Sequence, residues 1–125
     1  MANVLLIGLI PEAVDVSDPD LPPGLTQEKI AAGIDASLTD MRGRGWTAEF
    51  CGIQADASAE GAITAALSRK WDCIVIGAGV RMPAKLLGLF ERVINAVHRG
   101  APGTPIAFNT NPQSTGDAAA RWLGH

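Results

Sequence analysis

Residues able to hold a negative group gather in one stretch, Trp71-Asp72-Cys73-Ile74-Val75-Ile76-Gly77-Ala78-Gly79-Val80-Arg81. A buried-strand pattern runs into a glycine-punctuated turn that ends on a base, and Lys85 follows four residues later. Backbone N–H groups at Gly77, Gly79 and Val80, with the Arg81 guanidinium and the Lys85 ammonium, would meet an anion there. The two glycines suit close backbone approach or a positive φ. Further on, Asn109, Thr110 and Asn111, with Ser114 and Thr115, supply neutral groups that would orient the rest of a ligand. The set fits a phosphate, a carboxylate or a nucleotide. Gly-x-Gly after a strand is also ordinary turn chemistry, and Asn-Pro beside Ser and Thr is ordinary loop and cap chemistry. Only convergence in space makes these residues a site.

A second group lies in the Pro-rich, acidic segment 10–25, which carries Glu12, Asp15, Asp18 and Asp20 among Pro19, Pro22 and Pro23. Sixteen residues without a periodic pattern exceed the usual α/β connection, and loops of that length often serve as lids. As a lid, Asp15, Asp18 or Asp20 would receive an amine or hydroxyl of the ligand. The plain alternative is a solvated acidic loop stiffened by prolines. Its carboxylates lack the central Gly and late Glu of a calcium loop.

Several chemistries are excluded by residue type. A dinucleotide fingerprint needs Gly-x-Gly-x-x-Gly, and Met82 stands where the third Gly belongs. A phosphoacceptor Asp would end the third strand, where Ile76-Gly77 occurs instead. Cys73 and Arg81 are spaced wrongly for a cysteine phosphatase loop, and no Gly-x-x-x-x-Gly-Lys-Ser/Thr motif exists. The chain has no Tyr to stack on a flavin, and its loop after the first strand begins Ile10-Pro11-Glu12 rather than with Ser and Thr. His98 and His125 stand apart, so no metal site is expected. No catalytic group and no cofactor can be assigned.

The elements that must position these residues follow from hydrophobic pattern. Val4 to Leu9 is a continuous apolar run, the mark of a strand covered on both faces. Thr26 is expected to cap a helix to about Arg42 with Ile30, Ile34, Leu38 and Met41 on one face. Strands follow over Thr47 to Ile53, Cys73 to Ala78 and Pro105 to Asn109. Helices are expected from Asp56 or Ser58, from Pro83 to Arg99, and from Ser114 or Thr115 through Trp122 and Leu123. The order βαβαβαβα predicts an α/β three-layer sandwich: a four-stranded parallel sheet, order 2-1-3-4, flavodoxin-like but lacking the fifth strand. Residues 1–125 then form one such domain, with ligands expected where strands one and three part company. Leu87 and Leu89 fall off the main stripe of the Pro83–Arg99 helix, and strand four is an edge; both give motive for a homodimer.

Composition narrows the partners. Net charge is −3 with scattered bases, so neither nucleic acid nor an anionic membrane surface is expected. Cys51 and Cys73 lie in apolar runs and read as buried thiols. Met1-Ala2-Asn3-Val4 has no basic leader, and no apolar stretch is long enough to span a membrane, which points to the cytoplasm.

The chain resembles a family of small, uncharacterised bacterial proteins. The resemblance rests on Ser17-Asp18-Pro19, Leu21-Pro22-Pro23-Gly24-Leu25-Thr26, Glu28-Lys29-Ile30, Ile76-Gly77-Ala78-Gly79-Val80-Arg81, Phe90-Glu91-Arg92-Val93-Ile94-Asn95-Ala96 and Phe108-Asn109-Thr110. It implies a flavodoxin-like fold and no established activity. The expectation is therefore a protein that binds an anionic metabolite or nucleotide at the carboxyl ends of the strands. The rival is a non-catalytic interaction module acting through an apolar helix face and an edge strand.

Overall fold

Strand β1 (Asn3–Leu9) sends its side chains alternately into two separate cores, which is why it needs an unbroken apolar run. Leu5, Ile7 and Leu9 face one core; Val4 and Leu6 face the other. In the computed structural model, which describes residues 2–123, β1 pairs in parallel with β2 (Thr47–Ile53) and β3 (Cys73–Ile76). Strand β4 (Ile106–Phe108) pairs with β3, giving a four-stranded parallel sheet of order β2-β1-β3-β4. This is the α/β architecture expected from the sequence.

Helices cover both faces. Helix α1 (Gln27–Gly43) and α5 (Thr115–Ala120) contribute Met41, Ala118 and Ala119 to the Val4/Leu6 core. Helix α2 (Ser58–Ala66) and α4 (Leu87–Gly100) contribute Ile63, Val93 and Val97 to the Leu5/Ile7 core. Thr26 caps α1 by accepting a hydrogen bond from the Lys29 N–H at 3.1 Å, and Gly45 follows its end at φ +89°.

Four local expectations need correction. The stretch after β3 is not one helix from Pro83. A four-residue helix, α3 (Ala78–Arg81), comes first, and a 3-10 turn (Ala84–Leu86) precedes α4. Pro83, at ψ 121°, separates them, because its ring and missing N–H break a helical turn. Gly77 sits at φ −67°, so the turn after β3 needs no left-handed residue; among the described residues only Gly24, Gly45 and Gly103 have positive φ. Leu89 lies four residues before Val93 and is buried on the core stripe, whereas Leu87 is 60 % exposed. Trp122 lies beyond the end of α5 and is exposed, and His125 falls outside the described residues.

Edge strand β4 is blunted. It has three residues, and Arg121 Nη2 donates to the Phe108 carbonyl at 3.1 Å. A short strand with a cation on its open side resists edge-to-edge pairing.

Candidate functional site

The strand ends leave a cavity of about 170 Å³ between the sheet, α1 and loop 10–25. Leu6, Gly8 and Phe50 form its floor, on the same side of the sheet as α1. Ile30, Ile34 and Ser37 of α1 form one wall, and Gly77, Ala78, Gly79 and Met82 the opposite one. Val14, Leu21, Pro22 and Leu25 roof it, and Asn109 to Pro112 close the end. The surface is therefore mainly hydrocarbon with a polar end, the usual composition of a small-molecule pocket.

Helix α1 reaches this position because of two small residues. Gly33 and Ser37 are buried one turn apart on its inner face. A Cβ on Gly33 would stand 2.9 Å from Pro112 Cγ, and Ser37 Oγ lies 2.8 Å from the Pro112 carbonyl. The close seam anchors the helix, so Ile30 and Ile34 overhang the cavity and remain only half-buried.

Polar residues at the closed end mostly bind one another. Asn109 is buried; its Oδ1 accepts from the Ala78 N–H at 2.9 Å, and its Nδ2 donates to Thr115 Oγ1 at 2.8 Å. Thr115 Oγ1 in turn donates towards the Pro112 carbonyl at 2.9 Å. Asn111 Oδ1 accepts from the Ser114 N–H at 2.9 Å, and Ser114 Oγ accepts from the Thr110 N–H at 3.0 Å. These bonds tie the β4–α5 loop to the turn after β3. What remains for a ligand is the Asn111 amide nitrogen, which has no partner among the described residues, and the Lys29 ammonium. Lys29 Nζ donates to the Gly24 carbonyl at 3.0 Å, which uses one of three protons.

The sequence candidates divide accordingly. Gly77, Gly79, Asn109, Thr110 and Asn111 line the cavity. Val80 is fully buried in the α4-side core. Arg81 does not line the cavity: Nη2 donates to the Asn109 carbonyl, the guanidinium carbon lies 5.6 Å from the Phe108 ring centroid, and the buried Nε has no hydrogen-bond partner among the described residues. Lys85 is taken up by Asp15 and by Asp18 Oδ2, the latter at 3.4 Å. Asp20 Oδ2 accepts the Ala84 N–H at 2.8 Å. The lid carboxylates thus contact the protein's own chain.

Loop 10–25 is ordered by its own side chains. Asp15 Oδ1 accepts from the Ser17 N–H at 3.1 Å, and Asp18 Oδ1 from the Asp20 N–H at 2.8 Å, two successive Asx turns. The Lys85 ammonium, then the Ser17 hydroxyl and N–H, hold the Asp15 carboxyl below its ordinary 3.8, at about 2. A carboxyl depressed on folding contributes stability that is present above its unfolded pKa and lost as pH falls through the folded one. The stability difference between wild type and Asp15→Asn should be level from about pH 5 to 8 and vanish as pH falls from about 4 to 2. Denaturant melts across that range test it; a difference that persists unchanged at about pH 2 would assign the effect to something other than this charge.

Both cysteines are buried. Burial pushes the Cys73 thiol up to about 11 and also raises that of Cys51, so both stay protonated at neutral pH. No cluster of three His, Cys, Asp or Glu suited to a metal occurs among the described residues. No helix of the described residues is long and apolar enough to cross a membrane.

The residues that sequence reading passed over are Ile30, Ile34, Ser37, Leu21, Leu25, Phe50 and Lys29. The available signal was Gly33 and Ser37, two small residues four apart beside a helix's aliphatic stripe. No protein-family profile matches the chain, and no curated protein matches it.

Proposed function

We propose that this protein binds a small molecule with a largely apolar body and one polar end, in the cavity beneath loop 10–25. The observation that carries the proposal is a hydrocarbon-lined cavity of about 170 Å³ at the carboxyl ends of the strands, with polar groups at one end. Drug-sized pockets measure about 300–1,000 Å³, whereas an apolar cavity of about 150 Å³ takes benzene. Size therefore favours a single ring or a short branched chain, and a nucleotide would fit only with the lid raised. An anionic head remains compatible: Lys29 lines the cavity, and its ammonium has protons beyond the one given to the Gly24 carbonyl. The resemblance to uncharacterised bacterial proteins adds no activity, so the reading rests on the cavity.

Titration of the labelled protein with benzyl alcohol, benzoate and 4-methylpentanoate, followed by amide chemical shifts, tests it. Inorganic phosphate and AMP serve as contrasts. The expected result is shifts at Gly8, Gly79 and Asn111 with the first three compounds. Shifts confined to the surroundings of Arg81, appearing with phosphate alone, would replace this reading with an anion site on the α4 side.

The interaction-module reading draws on the exposed Leu87, while the blunted β4 edge weighs against strand pairing. A homodimer would then use the 82–87 surface, and sedimentation of wild type against Leu87→Glu would detect it.

A further inference from the structure

We infer that residues 15–20 and 84–85 form a charge latch controlling access to the cavity, an inference that rests on the binding proposal above. The division of oxygens within the loop is the first ground. Asp15 and Asp18 each use Oδ1 to fold the loop and Oδ2 to reach Lys85, three residues beyond the cavity-lining Met82. Asp20 adds its Oδ2 to the Ala84 N–H. The lid is thus shaped by one set of contacts and fastened by another, so the fastening can break while the lid keeps its form.

The roots of the loop are separate from the latch. At one end the Ile10 N–H donates to the Ile53 carbonyl at 3.0 Å; at the other, Gly24 at φ +79° precedes the Thr26 cap. A left-handed glycine two residues before the helix cap gives the lid a pivot, its carbonyl held by the Lys29 ammonium of α1. Exposed apolar side chains mark the way in. Val16 adjoins Asp15 on the lid, and Met82 and Leu87 flank Lys85 along the chain; all three are exposed, and Met82 also lines the cavity. An apolar-bodied ligand passing beneath residues 15–20 would meet hydrocarbon along its path.

Strength also fits a gate. Lys85 and Asp15 are both about half exposed, so their attraction is modest and screened by salt. Asp18 is buried, but its contact with Lys85 is longer, at 3.4 Å, and the shared cation stays half exposed, so the latch can open.

Amide hydrogen exchange in ligand-free wild type and Lys85→Met tests the latch without any ligand. Methionine keeps the stem and removes the charge. Amides of residues 15–21 should exchange roughly fivefold to tenfold faster in the variant, in line with loss of one exposed ion pair, a longer one to the buried Asp18 and a weakened third contact. Amides of β1 and β3 should be unchanged. Raising salt to 1 M should produce the same loosening in wild type and none in Lys85→Met. The Asp15→Asn/Asp18→Asn double variant should match Lys85→Met. Association of benzyl alcohol, which is neutral and so insensitive to the lost charge itself, should quicken by a similar factor.

Unchanged exchange at 15–21 in both variants overturns the latch, whatever binds. Faster exchange with no quickening of benzyl alcohol association in a protein that does bind it overturns the role in access. Faster exchange in a protein that binds none of the apolar-bodied probes leaves a lid without a site, and it is then the binding proposal, with the access role that rests on it, that falls.

Discussion

Asn109→Ala should lower stability by about 2–4 kcal/mol, because it removes both hydrogen bonds of a buried amide and leaves the Ala78 N–H without its acceptor. For a chain of 125 residues that corresponds to a fall in Tm of roughly 10 °C or more. The effect should exceed that of Arg81→Ala, which removes one hydrogen bond and a ring contact from a partly exposed side chain. Asn109→Asp should fall between, since a carboxylate still accepts the Ala78 N–H and can accept from the Thr115 hydroxyl. Thermal melts of the three variants give the order directly. An Asn109→Ala protein melting within about a degree of wild type would mean that the β4–α5 loop is held by other contacts, and that the closed end of the cavity does not depend on this amide.

Ile34→Trp should abolish binding of benzyl alcohol, weakening it at least about thirtyfold, at little cost in stability. Ile34 is half-buried against a void, so a larger side chain has space to occupy, and filling it adds contacts instead of straining packed neighbours. Ile63, fully buried on α2, provides the contrast. There the same replacement overpacks a filled core and should cost about 1–3 kcal/mol or more. Melting curves together with a benzyl alcohol titration separate the cases. A strongly destabilised Ile34→Trp would show that α1 already packs tightly at this point and that no ligand space exists there.

These two residues also show what the sequence made legible. Asn109 could be placed at the rim because Pro105 to Asn109 reads as a short strand after the helix expected to end at Arg99. Its role in holding Ala78 could not be read, since that bond joins residues 31 apart and leaves no periodic trace. Ile30 and Ile34 were legible as a helix stripe, but periodicity reports only that a side chain avoids water. It does not tell a packed neighbour from an empty volume. The lid carboxylates illustrate a third limit. Their number and the prolines around them marked a special loop, while the partner cation, Lys85, lies 70 residues from Asp15 and looked equally suited to an external anion. Sheet order was legible because it depends on few alternatives: continuous apolar strands, short crossovers and one handedness. Site chemistry depends on which polar groups find each other first, and that is settled by packing.

The seam at Gly33 and Ser37 has a consequence for how such a site could be altered. Because Pro112 rests directly on the helix backbone, α1 and the β4–α5 loop pack as one unit. Three sides of the chamber are then one rigid casting, and the roof alone has a pivot. Substitutions in the casting, at Ile30, Ile34 or Phe50, would change which molecule fits. Substitutions at Asp15, Asp18, Asp20 or Lys85 would change how long it stays and how fast it arrives. On the binding proposal, selectivity and residence time would therefore be written in different residues, each open to change without rewriting the other.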